Sequence, residues 1–311
     1  MLKWKSIRWV ILGVMILAIG GFIAYKFNHR DDIFYQISEK PTAKRRTFKG
    51  RHPFKRYDNI AYLPEAAPPD KRQLLDLIVP VDGENKPSVI VLHGGGWTSG
   101  DRKVDCVQEV AEWLAVRGII GVPLDFRLVP EVSLVDQIRD VAAGVAWLSQ
   151  HIAEYGGDPQ RIYLLGHSAG AHISALLASD RQYLDELGVP PEVPAGVIAL
   201  AGLYDVRDIS KATSLIGRPA TRILYGADED FLRRMSPLVY VHAGMPSFLF
   251  LNGKSDDLIK ESQTADMARA IIAAGGSATV ALIPHRNHQT IFSSIPDPGD
   301  AAGEAIRQFI K

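Results

Sequence analysis

The chain has 311 residues, of which 47% are hydrophobic and 23% are charged, and its formal net charge is zero. A chain of this length can bury a large core. The balanced charge argues against a nucleic-acid partner, because phosphate binding needs a basic surplus. Cys106, the single cysteine, excludes an intramolecular disulfide and a zinc site built from several thiolates. It lies in a predicted helix over 104–116 with no motif around it, which indicates a packing role.

An apolar run over residues 7–25 lies near the start of the sequence. It contains one charge, Arg8, and about twenty apolar residues suffice for a helix to cross a bilayer core. A buried core helix and a cleaved signal peptide are the alternatives. The run is too uniformly apolar for an amphipathic core helix, and it is longer than the usual apolar region of a signal peptide. We therefore expect residues 1–30 to be an uncleaved, single-pass membrane anchor and residues 31–59 to be a basic linker. Basic residues flank both ends of the run, so they do not assign the side of the membrane.

Short apolar runs alternate with longer helical stretches over residues 60–311, which we assign to one catalytic domain. Helices are predicted over 134–155 and 262–274. Strands that alternate with helices predict an α/β fold with a largely parallel sheet covered on both faces, whose carboxyl ends carry the chemistry. The predicted strands cover residues 74–79, 89–92, 119–124, 162–165, 197–200, 248–251 and 279–283.

A glycine-rich segment, His93-Gly94-Gly95-Gly96-Trp97, directly follows the predicted strand 89–92. Glycines allow backbone N–H groups to approach a substrate without interfering side chains, as an oxyanion-binding loop requires. The alternatives are a simple glycine-rich turn and a phosphate-binding loop. A phosphate loop would continue with Lys-Ser or Lys-Thr, which this segment lacks. The segment is therefore typical of the loop that stabilises the oxyanion in lipases and esterases.

The segment Gly166-His167-Ser168-Ala169-Gly170 has the pattern G-x-S-x-G. A predicted strand precedes it and a helix-like stretch, residues 171–177, follows it, which is the context that gives this pattern meaning. Small residues on both sides of the serine permit a tight turn that projects its hydroxyl into a cleft. The helix that begins there favours negative charge at its amino terminus. Ser168 is therefore the predicted nucleophile.

A serine hydroxyl is a poor nucleophile at neutral pH and needs a base with an orienting acid. In this type of site the chain order is Ser, then Asp or Glu, then His. Asp256 and Asp257 follow the predicted strand 248–251, and His285 and His288 follow the strand 279–283. His242 precedes the acid and falls out of order. Spacing alone leaves both pairs of candidates open.

Several segments together resemble the α/β-hydrolase superfamily over nearly all of residues 60–295. They are similar to the branch that holds hormone-sensitive-lipase-like carboxylesterases, arylformamidases and isoprenylcysteine methylesterase-like enzymes. One departure is Phe126, where these enzymes usually carry tyrosine, and we expect it to affect the edge of the pocket. The segments that carry the resemblance are LLDLIVP (74–80), HGGGWTSGD (93–101), DFRLVPE (125–131), GGDPQRIYLLGHSAGAH (156–172), ALAGLYD (199–205), SPL (236–238) and FLFLNGKSDD (248–257).

The resemblance implies a particular triad. The family carries a glycine three residues before the acid, which selects Asp256 over Asp257. Its base precedes a short apolar helix, which selects His288 over His285 as the partner of Ser168. Within this family pattern we expect two further histidines to be structural, namely His167 in the elbow and His172 one turn into the helix.

The resemblance also implies that the N–H groups of Gly95, Gly96 and Ala169 form the oxyanion hole. It implies hydrolysis of a small-molecule carboxylic ester with no metal or organic cofactor. An amidase of the arylformamidase type with the same triad is the alternative. A non-catalytic binding module is a further alternative, which the intact Ser, Asp and His disfavour.

In this fold a lid usually lies between the strands at 197–200 and 248–251. Here that insert covers residues 205–244, and charged residues interrupt its apolar ones. A lid that opens on lipid should present a broad apolar face. The insert therefore favours short acyl chains over long ones.

Overall fold

Eight strands form one sheet within residues 46, 48, 52–63, 71–207 and 229–310, which the computed structural model describes. They are β1 Phe54–Ala61, β2 Leu74–Pro80, β3 Lys86–Leu92, β4 Ile120–Leu124, β5 Gly157–His167, β6 Gly196–Leu200, β7 Ser247–Gly253 and β8 Ala278–Ile283. Their order in the sheet is β1-β2-β4-β3-β5-β6-β7-β8. The pairs β1–β2 and β2–β4 are antiparallel and the remaining pairs are parallel.

Helices cover both faces of the sheet. In the described part of the chain they are α1 Asp105–Ala115, α2 Leu134–His151, α3 Ala169–Ser179, α4 Gln182–Asp185, α5 Glu229–Arg234, α6 Glu261–Ala273, α7 Thr290–Ser293 and α8 Ala301–Phe309. Successive side chains of a strand point to opposite faces. In β5, Ile162 and Leu164 therefore pack with α2 and α3, whereas Tyr163 and Leu165 pack with α1 and α8. This alternation confirms the predicted α/β architecture, a mostly parallel sheet covered on both faces.

Strand β1 differs from the sequence prediction. Residues 54–59, placed in the basic linker 31–59, form most of this edge strand, which pairs with β2 from Phe54 opposite Pro80 to Ala61 opposite Leu74. The strand carries exposed charged and polar side chains and lacks the apolar run that marks a buried strand. It is held by backbone hydrogen bonds along one side, which a search for apolar runs does not detect.

Two predicted segments fall largely or wholly outside the described residues. The anchor over 1–30 lies entirely outside them. Residues 208–228, which make up most of the insert, also lie outside them. None of the described helices combines the length and apolar character that crossing a bilayer requires. The described residues also bring together no group of three or more His, Cys, Asp or Glu side chains suited to a metal ion.

Candidate active site

Ser168 occupies a strained turn between the end of β5 and the start of α3. Its backbone has φ 53° and ψ −113°, a region that residues other than glycine rarely adopt. The turn needs glycine on both sides, because a Cβ on Gly166 would lie 2.2 Å from the carbonyl oxygen of Gly170. A Cβ on Gly170 would lie 2.6 Å from the carbonyl oxygen of Leu92. The backbone N–H of Ser168 donates to the carbonyl of Leu200 at 2.9 Å, which fastens the turn to β6.

His288 lies between Ser168 and Asp256. Its Nε2 is 3.0 Å from Oγ of Ser168, and its Nδ1 is 2.9 Å from Oδ2 of Asp256. Only 11% of the His288 side chain and 1% of the Asp256 side chain are exposed. The Asp256 carboxylate accepts a hydrogen bond from the N–H at Nδ1, which leaves the lone pair of Nε2 free to take the hydroxyl proton of the serine. The structure thus brings these three predicted residues together in hydrogen-bonding order.

Asp256 is held in its charged form. Burial, the largest single influence, would raise its pKa, but the hydrogen bond and charge of His288 and two backbone N–H groups together hold the pKa below its usual value. The N–H groups of Leu258 and Ile259 donate to Oδ1 at 2.9 Å each and act in the same direction. Asp257 and His285, the competing candidates for the acid and the base, both have exposed side chains and lie outside this arrangement.

The loops that carry the acid and the base are fastened to each other. The N–H of Ser255 donates to the carbonyl of Arg286 at 2.9 Å. A Cβ on Gly253 would lie 2.1 Å from that same carbonyl oxygen, so the close approach of the loops requires glycine there. The Arg286 side chain donates to Asp300 at 2.7 Å, which anchors the base loop to the start of α8.

The glycine-rich segment forms a turn at the end of β3. Gly95 and Gly96 have φ values of 118° and 59°. The carbonyl of Gly95 accepts from the N–H groups of Thr98 at 3.2 Å and Ser99 at 3.1 Å, inside the turn. In a trans peptide the C=O and N–H point in opposite directions, so the N–H of Gly96 points out of the turn. The N–H of Ala169, the first residue of α3, has no acceptor within its helix. These groups can serve as oxyanion donors.

A buried polar network lies behind the glycine-rich turn. Asp125, at the end of β4, accepts from the backbone N–H of Arg102 at 2.8 Å and from its guanidinium at 2.5 Å. Burial would raise the pKa of Asp125, but His93 and Arg102 outweigh burial and hold it below its usual value. Phe126 is fully buried and stacks on His93, with ring centroids 4.4 Å apart. The Phe126 ring therefore supports His93, at the start of the glycine-rich turn.

Two buried histidines next to the serine have specific partners. His167 contacts the base loop, and His172 links Trp97 to Met235. Sequence reasoning gave both a structural role and missed these links. Neither link has a local signature, because the bonds from His167 and His172 join residues 121 and 63 positions apart.

The chain is similar to known esterases in sequence. It is 30% identical over 244 residues to a probable isoprenylcysteine alpha-carbonyl methylesterase of Arabidopsis thaliana, a match covering 73% of this chain and 51% of that protein. It is 28% identical over 291 residues to esterase LipQ of Mycobacterium tuberculosis, covering 85% of this chain and 66% of that protein. The chain thus spans about half to two thirds of the length of these relatives.

Solved structures share its fold. A truncated carbohydrate esterase from gut microbiota superposes with a TM-score of 0.71 at 19% identity, covering 85% of this chain and 99% of that one. An inhibited esterase B from Lactobacillus rhamnosis superposes with a TM-score of 0.70 at 23% identity, covering 95% and 96%. The BD-FAE family model matches residues 75–271, more than half of the chain. With its α/β-hydrolase fold, this chain belongs to the BD-FAE family.

Proposed function

We propose that this protein is a serine carboxylic-ester hydrolase that uses Ser168, His288 and Asp256 as a catalytic triad. The observation that carries the proposal is the pair of hydrogen bonds at His288, 3.0 Å to the serine and 2.9 Å to the aspartate. They occur at a strained strand-to-helix turn beside a glycine-rich loop, an arrangement suited to acyl transfer. The esterase names of its relatives agree with this proposal.

The proposed reaction has two halves. His288 takes the hydroxyl proton as Oγ of Ser168 attacks the ester carbonyl carbon, and Asp256 stabilises the imidazolium. The N–H groups of Gly95, Gly96 and Ala169 bind the oxyanion. When the intermediate collapses, the C–O bond to the alcohol breaks, and the alcohol leaves with the proton from His288. Water then attacks the acyl-enzyme with the same base, and the carboxylic acid and free serine are released. These steps require no metal ion or organic cofactor.

The proposed substrates are small-molecule esters with short acyl chains. Support comes from the sequence of the insert 205–244, where charged residues interrupt the apolar ones. Added methylenes gain binding free energy only while the pocket can bury them. We also propose that the apolar run at 7–25 anchors the protein to a membrane.

Labelling by a fluorophosphonate probe tests the nucleophile. Wild-type protein should be labelled and should hydrolyse an aryl acetate, whereas Ser168→Ala should lose labelling and roughly a factor of 10⁶ in turnover. Ser179→Ala is the matched control, because Ser179 is a buried serine on the same helix whose hydroxyl donates to the carbonyl of Ala175. Retained labelling of Ser168→Ala would overturn the assignment. N-formyl anilides assayed beside aryl esters separate an amidase from an esterase.

A further inference from the structure

His167 forms a hydrogen bond with the backbone of His288, the residue whose side chain contacts Ser168. Its Nε2 lies 2.6 Å from the carbonyl oxygen of His288. A carbonyl oxygen can only accept, so Nε2 of His167 carries the proton and donates. His288 is thus contacted twice by consecutive residues of the turn. Ser168 meets its side chain and His167 meets its backbone.

The His167 ring packs against helix α7, the His288 ring and the glycine-rich turn. It stacks on Phe292 of α7, with centroids 5.3 Å apart and an interplanar angle of 13°. The His288 ring lies at 4.8 Å from it. On the glycine-rich turn, a Cβ added to Gly94 would lie 2.8 Å from Nδ1 of His167, so that backbone packs directly against the ring.

We propose that His167 is a positioning residue, whose neutral imidazole donates to the His288 carbonyl and so fixes the base relative to Ser168. The inference rests on the proposed triad. Ser168 and His167 are consecutive residues of one strained turn. The nucleophile and the group that holds its base in place therefore move together. A misplacement of the base by about 1 Å can cost on the order of 10²-fold in rate.

A neutral ring suits this place. Burial, and then the neighbouring His288, lower the pKa of His167 to about 3, so it stays uncharged through the neutral pH range. During the proposed reaction His288 becomes positively charged at a centroid distance of 4.8 Å. A second cation there would oppose that charge, whereas a neutral donor does not. Asp256 is the charged group that faces His288 from its other side.

Two substitutions separate donation from packing. His167→Phe keeps a ring against Phe292 and removes the donor. His167→Gln keeps an N–H at a similar distance from Cβ and removes the ring. We expect His167→Phe to lower kcat by roughly 10- to 100-fold on a p-nitrophenyl ester with little change in KM. We expect the kcat of His167→Gln to stay within a few-fold of the wild-type value. His285→Gln, at an exposed histidine in the loop that carries His288, is the control.

The outcomes are distinct. Equal kcat losses in the Phe and Gln variants, or wild-type kcat in both, would overturn the positioning role. Thermal melts identify any variant that is partly unfolded at the assay temperature. If His167→Phe does not fold, His167→Met serves as the donor-free variant with the same expected loss. Ser168→Ala is assayed in parallel. If it keeps activity, the triad fails, whereas failure of the His167 expectation alone leaves the triad intact.

Discussion

The indole N–H of Trp97 donates to Nδ1 of His172 at 3.2 Å. On the other side of the imidazole, Nε2 lies 2.8 Å from the carbonyl of Met235 and donates to it. His172, on helix α3, therefore links the glycine-rich turn to Met235, in the described part of the insert. The link requires a neutral ring, because a proton on Nδ1 would face the indole N–H. Burial keeps the ring neutral by lowering the pKa of His172 to about 4.

We predict that His172 makes the protein acid-sensitive. In the unfolded chain its pKa returns to 6.5, so below that pH the unfolded state binds a proton that the folded state excludes. Its contribution to stability is complete above pH 6.5 and is lost as pH falls from 6.5 towards 4. At pH 5 the loss is about 2 kcal/mol. Urea unfolding at pH 7.5 and pH 5 measures the free energy of unfolding at each pH and hence this loss.

His172→Gln should lose less stability than wild type over the same pH interval, by about that amount. The variant starts from a lower stability at pH 7.5, since Trp97 loses its acceptor geometry. His285→Gln, at an exposed histidine, is measured in parallel as the control for replacing a histidine by glutamine. Equal acid losses in wild type and His172→Gln would show that His172 does not titrate as expected.

We predict that His288→Ala is as damaging to turnover as Ser168→Ala. The serine then has no base at Nε2, and a triad acts as a unit, so single losses reach roughly 10⁶-fold. His285→Ala should keep substantial activity, because that side chain points to solvent. Steady-state hydrolysis of an aryl acetate measures both. The reverse result would reassign the base to His285.

The buried pair Asp125–Arg102 should matter for stability. Asp125→Ala leaves Arg102 buried beside Asp76 with one partner fewer, and breaking a buried pair typically costs about 3–5 kcal/mol. Thermal or urea unfolding measures the loss. Glu304→Ala, which removes an ion pair with Arg307 on the surface, is the control and should change stability little. Comparable effects of the two substitutions would contradict the assigned role of the network.

Chain-length preference tests the proposed substrate class. Specificity constants on p-nitrophenyl esters from acetate to palmitate should peak between about two and six acyl carbons. Each methylene adds about 0.8 kcal/mol only while the pocket buries it, and the charged insert should end that gain early. A maximum at about twelve carbons or beyond would show that the insert does not close the pocket in this way.

Removal of residues 1–30 tests the proposed anchor. The shortened protein should appear in the supernatant after membranes are pelleted, and its esterase activity should be preserved. Ser168, His288, Asp256 and the glycine-rich turn all lie beyond residue 90. If the shortened protein still pelleted with membranes, the apolar run would not be the sole anchor. The basic linker 31–59 would then be the next region to test.

The sequence predicted the parts of the fold that have local signatures. Most strands of this sheet are apolar runs in the sequence, and all seven predicted runs are strands in the structure. The elbow and the glycine-rich turn are recognisable because tight turns restrict residue type at fixed positions. The choices of Asp256 and His288 came from family spacing, and the structure places these two side chains together and their rivals in solvent.

Features without a local signature were missed. Strand β1 carries exposed polar side chains, and its stability comes from pairing with β2. The bond from His167 to His288, and the stack of Phe126 on His93, depend on the packing of distant or sharply turned segments. A single sequence contains no periodicity that encodes such contacts.

The position of β5 in the sheet has a consequence for the dynamics of the site. Edge strands fray first in native-state hydrogen exchange, and the edges here are β1 and β8. β5 lies between β3 and β6, paired along both sides, and the Ser168 N–H is bonded to β6. Opening of either edge therefore leaves the strained backbone of the serine in place. The elbow should relax only when the centre of the sheet opens, so its amides should exchange as slowly as those of the most protected strands.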